Sequence, residues 1–135
     1  MRFLLDENLP PAFARSLDAL ARRDGHSVAH VLDFVKAGTD DFNWIISLSE
    51  ERGAVISGDR RMLTRRHELR ALKDSQVTTF ILAPGWASLR FWDKAALLVR
   101  RWPEIALAAT NHRAGSIFIV PHKYTTAALR PDPRY

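Results

Sequence analysis

Short apolar runs alternate along this chain with longer segments in which apolar residues recur every three or four positions. Mainly apolar runs of this length are typical of buried strands, and they occur at residues 2–5, 28–32, 54–57, 77–82 and 117–120. Segments with helical spacing lie between them, beginning near Pro10, Asp40, Met62, Phe91 and Glu104. The resulting order, βαβαβαβ followed by helices and a last strand, predicts an α/β fold with a parallel sheet and helices on both faces.

Local signals predict where these helices begin and end. Asn8 is expected to cap the first helix, whose first turn contains two prolines, and the Arg22–Gly25 segment is expected to end it. Pro103 is expected to interrupt the last long helix and to leave a short helix at 104–109. Residues 1–120 then form a single domain, and the basic, proline-containing residues 121–135 form a loose tail.

Composition and charge narrow the classes of partner. The chain has 135 residues, of which 47% are hydrophobic, and a net charge of +5. Because it has no cysteine, disulfide scaffolds and thiolate metal sites are excluded, which fits a reducing cytoplasm. No stretch is apolar for long enough to span a bilayer, so no membrane association is expected. The positive charge favours an anionic partner, first of all nucleic acid, although a charge of +5 also simply aids solubility.

Acidic residues stand where predicted strands give way to helices. Asp6 follows the first strand, Asp59 follows the third, and the pair Asp40–Asp41 opens a helix. The carboxyl ends of parallel strands share one edge of the sheet, and carboxylates gathered there repel one another unless a cation holds them. We therefore expect Asp6, Asp41 and Asp59 to bind Mg²⁺ or Mn²⁺ and to be the catalytic residues. Only one residue of an adjacent pair on a helix faces the crevice, so Asp40 is the alternative ligand to Asp41. Glu68 is a further candidate ligand.

Each of these acids also has an ordinary structural role open to it. Acids in a first helical turn are stabilising, Asp59 is a favoured helix cap, and Glu68 can pair on the surface with Arg65 or Lys73. A run of basic residues begins directly after Asp59, and four arginines in it are candidate nucleic-acid contacts because guanidinium groups match phosphate oxygens: Arg60, Arg61, Arg65 and Arg66. The histidines lack zinc-site spacing, and neither a phosphate loop nor a nucleophile-serine motif occurs.

At these residues the chain resembles the PIN-domain family, in particular the short PIN-like domains of VapC-type toxins. The matching pieces lie within residues 1–82: Arg2-Phe3-Leu4-Leu5-Asp6-Glu7-Asn8-Leu9-Pro10, Gly38-Thr39-Asp40-Asp41 and Val55-Ile56-Ser57-Gly58-Asp59-Arg60-Arg61. Residues 83–120 are similar to a helical and last-strand extension of the same group. The resemblance implies a three-layer α/β/α sandwich with a mainly parallel central sheet, and a metal-dependent ribonuclease. It also implies a protein antitoxin that blocks the site, and frequent dimers. Where many members carry a fourth acid, this chain offers only Glu68.

Together these observations predict a Mg²⁺- or Mn²⁺-dependent endoribonuclease that is the toxin of a type II toxin–antitoxin pair. A metal-activated water would cleave phosphodiesters of single-stranded or looped RNA. The partners expected are the RNA, a small antitoxin and a second copy of the chain. Two alternatives stay open. One is a receiver-like phosphoacceptor module with Asp59 as the target, and the other is a degenerate PIN-like domain that binds RNA or protein without catalysis.

Overall fold

The computed structural model describes residues 1–34, 45, 48–125 and 127–135. In this part of the chain five strands form one parallel sheet: β1 (Arg2–Leu5), β2 (Ser27–His30), β3 (Ala54–Ser57), β4 (Thr78–Leu82) and β5 (Ile117–Val120). Their order across the sheet is β2-β1-β3-β4-β5. Three α-helices have both ends within this part of the chain, α1 (Pro11–Ala21), α2 (Arg66–Ser75) and α3 (Phe91–Asn111), and shorter 3-10 segments join them to the strands.

Side chains on the two faces of the sheet build two separate cores. Alternate residues of a strand point to opposite faces, so Phe3 and Leu5 pack with α1 and α3 on one face. Leu4 points to the other face, where it packs with α2 through Leu72 and with Ile45. Because helical segments cover both faces of a parallel sheet, the predicted α/β/α sandwich is confirmed.

Helix α1 begins in a different way from the one predicted. Its cap position is Pro10, whose side chain makes no capping hydrogen bond. The amide oxygen of Asn8 instead accepts a hydrogen bond from the Gly58 amide at 3.3 Å, so Asn8 joins the loops after β1 and β3. Of the two prolines predicted in the first turn, only Pro11 lies in the helix, and Pro10 precedes it. Pro11 suits this position because its missing amide hydrogen would have had no partner in the first turn.

The prediction that Pro103 ends a helix is wrong, because α3 runs unbroken from Phe91 to Asn111. Pro103 lies on the exposed side of α3, while Leu98, Trp102 and Ile105 on the other side are buried against the sheet. A proline removes one hydrogen bond from a helix. Here the acceptor left without its partner is the carbonyl of Val99, which belongs to a residue that is itself exposed, so water can replace the missing donor.

Two further boundaries differ from the sequence prediction. Strand β2 ends at His30, and the apolar residues that follow it form a 3-10 turn, Val31–Asp33. The tail is not loose: Leu129 belongs to the core beneath α3, and the Asp132 amide donates to the Ile117 carbonyl at 2.7 Å. Packing against the domain thus orders a segment whose sequence contains no helix or strand pattern.

Candidate functional site

The carboxyl ends of β1 and β3 form the crevice in which this site lies. From β1 the chain crosses to β2 on one side and later to β3 on the other, so the strand order reverses direction between β1 and β3. Sheets of this kind bind ligands outside the strand ends at such a reversal. Asp6 directly follows β1, and Asp59 lies two residues after the end of β3. The structure therefore places these two predicted residues at adjacent strand ends.

Ser57, the last residue of β3, connects the two carboxylate-bearing residues. The Ser57 hydroxyl donates to Oδ2 of Asp6 at 2.7 Å. Its oxygen, Oγ, also accepts a hydrogen bond from the backbone amide of Asp59 at 2.9 Å. Ser57 is completely buried, so water does not compete for either bond. The sequence motif Ser57-Gly58-Asp59 contained this residue, but its bridging role emerges only from the parallel pairing of β1 with β3.

Asp6 is held in an environment that disfavours its charge. Burial raises the pKa of its carboxyl group, and the nearby charges of Glu7 and Asp59 add to the rise. Hydrogen bonds from Ser57 and from the Glu7 amide, the latter at 2.8 Å, act in the opposite direction without cancelling it. A buried carboxylate close to other acids is a typical setting for a bound cation, which supplies the missing positive charge.

Asp59 has the opposite electrostatic setting because an arginine neutralises it. Burial acts to raise its pKa, but hydrogen bonds from Arg61 and the charges of Arg61 and Arg65 outweigh burial and hold the pKa below its ordinary value. The Arg61 guanidinium contacts both carboxylate oxygens, at 2.9 and 3.3 Å, and the Arg61 amide donates to Oδ1 at 3.0 Å. The predicted capping role of Asp59 is confirmed, and Arg61 is its direct ion-pair partner.

Glu68 is buried, whereas the sequence analysis considered it as part of a surface pair. Its Oε1 atom accepts a hydrogen bond from Arg65 at 2.8 Å, but its side chain is only 6% exposed. The other oxygen, Oε2, is buried and has no hydrogen-bond partner in the described part of the chain. Glu68 also contributes to the electrostatic environment of Arg61. The acids and arginines after β3 therefore form one connected charge cluster.

The four arginines that were expected to contact nucleic acid divide into two pairs. Arg61 and Arg65 are bound to Asp59 and Glu68. Arg60 and Arg66 are exposed and make no ion pair within residues 1–34, 45, 48–125 and 127–135. The exposed pair therefore has guanidinium groups available for an anionic ligand without breaking an existing contact.

A pocket of about 200 Å³ opens beside the acids, where β3 and β4 end. Asn8 and Gly58, from the loops that carry Asp6 and Asp59, line one part of it, Trp86 contributes an apolar wall, and Lys94 of α3 contributes a cation. The Trp86 ring is fixed because its indole nitrogen donates to the Val120 carbonyl at 2.9 Å. The described residues provide no ion-pair partner for Lys94. The pocket is smaller than most sites for drug-sized ligands, so it can take only a small group.

The loop that carries Asp6 is fixed by a histidine that sequence reasoning treated only as part of a strand. The His30 side chain is buried, with Nε2 at 2.7 Å from the Leu9 carbonyl and Nδ1 accepting the Leu32 amide at 3.1 Å. Since Nδ1 accepts, the proton lies on Nε2, which donates to Leu9. A polar residue at the end of an apolar strand was the available signal for this contact.

Comparison with known proteins gives the family. A family model described as "PIN like domain" matches residues 1–84, more than half of the chain. The chain belongs to the PIN-like domain family. No curated protein matches it, and no solved structure does either. PIN-like domains are generally nucleases, and this membership puts the chain within the nuclease superfamily.

Asp6 and Asp59 of this PIN-like domain are chemically suited to a hard divalent cation, since Mg²⁺ and Mn²⁺ prefer carboxylate oxygens. Asp6 brings a buried carboxyl group, and Asp59 brings a second one at the adjacent strand end. Asp40 and Asp41 lie outside the described residues. Among the residues that are described, no group of three metal-ligating side chains comes together. The metal site therefore stays a prediction.

Within the described residues, no helix combines the length and the apolar character needed to cross a bilayer.

Proposed function

We propose that this PIN-like domain is a Mg²⁺- or Mn²⁺-dependent endoribonuclease. The observation that supports this most directly is the bridge from the Asp59 amide through Ser57 to the buried carboxyl group of Asp6. It holds two acids of different chain segments at the strand-order reversal, where α/β sheets bind their ligands. When bound, the ion would lower the pKa of a coordinated water and orient it as the hydrolytic nucleophile.

The residues of the chain have separate tasks in this proposal. Ser57 orients the Asp6 carboxyl group, which would hold the ion together with Asp59 and with Asp41, whose position the structure does not describe. Arg61 neutralises Asp59 while no cation is bound. Arg60 and Arg66, whose guanidinium groups make no ion pair with any residue that the structure describes, would bind phosphates on either side of the cleaved bond. Lys94 would bind a further phosphate at the rim of the adjacent pocket.

Metal binding can be tested without any cleavage assay. A ligand at a concentration of 100 times its dissociation constant stabilises the folded state by about 2.7 kcal/mol. We expect Mn²⁺ to raise the midpoint of thermal unfolding, and Asp6→Asn and Asp59→Asn each to reduce that shift. Asp74→Asn is the matched control, because Asp74 lies at the far end of α2 with its side chain 74% exposed. An equal shift in all four proteins would contradict the proposed ligands.

Cleavage is tested with single-stranded RNA in Mn²⁺, in Mg²⁺ and in EDTA. Asp6→Asn and Asp59→Asn should abolish cleavage while circular dichroism shows a retained fold. Full cleavage in EDTA or in either variant would refute the mechanism. RNA binding that persists in EDTA, without cleavage under any condition and without metal-dependent stabilisation, would instead indicate a non-catalytic PIN-like binding domain.

Phosphate contacts can be separated from catalysis by measuring RNA affinity in EDTA. We expect three variants, Arg60→Gln, Arg66→Gln and Lys94→Gln, each to weaken RNA binding. Each should also reduce the slope of log affinity against log salt concentration by about one. Lys73→Gln is the control of equal charge. Lys73 lies in the last turn of α2, close to Gly115, which precedes β5 and so lies at the opposite edge of the sheet. If Lys73→Gln weakens binding as much as the other variants, the proposed surface is wrong.

A toxin role belongs to the same proposal. A small antitoxin protein would cover the crevice, and its gene would lie next to that of the toxin. We expect expression of the chain to arrest growth, and co-expression of the adjacent small reading frame to restore it. The Asp6→Asn variant should not arrest growth. Arrest by that variant would show that the effect does not depend on the acid site.

A receiver-like phosphoacceptor is the second candidate because of one observation. The strand order β2-β1-β3-β4-β5 is also that of the doubly wound fold of receiver proteins, in which the target aspartate follows β3, as Asp59 does here. Incubation with acetyl phosphate and Mg²⁺ separates the two functions. A covalent phosphate on Asp59, detected by intact mass, would favour the receiver, whereas RNA cleavage with no added phosphate supports the nuclease.

A further inference from the structure

The outer side of α3 carries a row of exposed apolar residues. Trp92 is 79% exposed, Leu107 is 59% exposed and Val99 is 40% exposed, while Ala96 and Pro103 between them are also exposed. We call these five residues the α3 stripe. At 100° per residue they lie within an arc of roughly 80°, and at 1.5 Å per residue the stripe is about 22 Å long.

The α3 stripe is not needed for the core of the domain. The opposite side of the same helix already covers the sheet through the buried residues Leu98, Trp102 and Ile105. Single exposed apolar residues are normal on a protein surface, but a contiguous row that includes tryptophan indicates an interaction site. The intervals in Trp92, Ala96, Val99 and Pro103 are four, three and four residues, which is the spacing of a coiled-coil seam. This spacing favours another helix as the covering surface.

Two charged residues on one flank of the stripe indicate which helix that is. Asp93 and Arg100 each follow a stripe residue by one position, so they lie on the same side. Neither forms an ion pair within the described residues, and the Arg100 guanidinium only stacks on the Tyr124 ring, with Cζ at 4.1 Å from the ring centroid. The row thus has one unpaired acid and one unpaired base, seven residues apart.

An antiparallel copy of α3 satisfies both charges at once. If Ala96 of one copy faces Val99 of the other, Trp92 faces Pro103, and the small Ala96 side chain allows the two helices to approach closely. The same alignment brings Asp93 of each copy next to Arg100 of the other. In a parallel pair, Arg100 would lie opposite Ala95, and the position opposite Asp93 would be residue 88, which precedes the helix, so both charges stay unpaired.

We propose that the α3 stripe binds a second copy of this chain through an antiparallel α3–α3 contact with two symmetric Asp93–Arg100 ion pairs. The contact is isologous, because the same surface of each copy meets itself across a two-fold axis. It does not rest on the proposed nuclease activity, and its tests measure mass and cross-linking. Failure of the nuclease proposal and failure of the dimer proposal are therefore distinguishable.

The first test measures molar mass by light scattering and sedimentation equilibrium. We expect the wild-type chain to have twice its monomer mass of 15.3 kDa, and Val99→Glu to be monomeric with an unchanged circular dichroism spectrum. Leu20→Glu is the matched control, because Leu20 is 55% exposed on α1, and it should remain dimeric. A monomeric wild-type chain, in which the stripe would be left for a different protein, overturns the proposal. A dimer that survives Val99→Glu also overturns it.

A charge exchange tests the orientation of the two helices. Asp93→Arg alone should weaken the dimer about tenfold or more through like-charge repulsion, and Arg100→Asp alone should do the same. The double variant Asp93→Arg/Arg100→Asp should regain most of the wild-type affinity. The absence of rescue in a correctly folded double variant would show that these residues do not face each other.

Cross-linking gives an independent test, because the chain has no cysteine of its own. Ala96→Cys and Val99→Cys proteins are mixed in equal amounts and oxidised. An antiparallel contact should favour the 96–99 disulfide over either self-linked pair, whereas a parallel contact should favour the self-linked pairs. Both positions lie in the tryptic fragment 95–100, whose mass differs between the two variants, so mass spectrometry identifies each product. Predominance of the self-linked products would overturn the proposed geometry.

Discussion

Replacement of Ser57 by alanine tests whether one hydroxyl group organises the acid site. The Ser57 side chain is fully buried and makes two hydrogen bonds, one to the Asp6 carboxyl group and one from the Asp59 amide. A hydrogen bond to a charged group contributes about 1.5–3 kcal/mol to stability, and one between neutral groups contributes about 0.5–1.5 kcal/mol. Alanine leaves both partners unsatisfied, so Ser57→Ala should lower the free energy of unfolding by roughly 2–4 kcal/mol.

The assay is urea unfolding in EDTA near neutral pH, so that no metal contributes, followed by fluorescence. The denaturant slope should not change, because the amount of surface exposed on unfolding stays the same. Ser116→Ala is the matched control. The Ser116 hydroxyl also donates a short hydrogen bond, to the Arg113 carbonyl at 2.6 Å, but Ser116 lies at the surface. We therefore expect Ser116→Ala to change the free energy of unfolding by no more than about 0.5 kcal/mol. A loss below about 1 kcal/mol for Ser57→Ala would refute the bridging role.

Three further predictions concern stability. A hydrogen bond from the Val28 amide, with a weaker effect of Arg22, lowers the pKa of the Asp18 carboxyl group. The ionised carboxylate therefore stabilises the folded state above the ordinary pKa of 3.8. That contribution is lost as the pH falls through the lower pKa that Asp18 has in the folded state. Asp18→Asn should accordingly show a smaller loss of unfolding free energy than wild type on acidification to about pH 2. Glu68→Gln should lower the unfolding free energy by about 1 kcal/mol, because it removes a charge that is paired with a partly exposed arginine. It should not alter the Mn²⁺ concentration that gives half-maximal thermal stabilisation. A change in that concentration would indicate that Glu68 is a metal ligand. Ile105→Ala, at a fully buried position, should cost about 2–5 kcal/mol in urea unfolding, and a smaller loss would contradict the packing of α3.

The positions of Asp6 and Asp59 were predictable because they depend on a simple topological rule. Each follows an apolar run that becomes a buried strand, and parallel strands end at the same edge of a sheet. Their different electrostatic environments were not predictable. The pKa of Asp6 is raised by burial, whereas the pKa of Asp59 is lowered by Arg61 against the effect of burial. Those shifts depend on side-chain positions that no spacing rule specifies.

The errors in the sequence prediction have a common cause, because packing overrode the local signals on which the prediction relied. Pro103 is a strong helix breaker in isolation, but α3 continues through it because the helix packs on the sheet with its other side. Asn8 is a good capping residue, yet its side chain bonds to Gly58 across the crevice. A contact between loops fifty residues apart is available only after the strands have paired.

The sequence alone determined the alternation of strands and helices, the parallel sheet and the two acids at its carboxyl edge, because hydrophobic period and strand-end position are local properties of a chain. The tertiary structure alone decided that Ser57 joins those acids, that Glu68 is buried and that Arg60 and Arg66 have no ion-pair partner among the described residues. It also decided that one side of α3 is left exposed. These features depend on which distant segments meet, and such meetings are fixed by the packing of the whole domain.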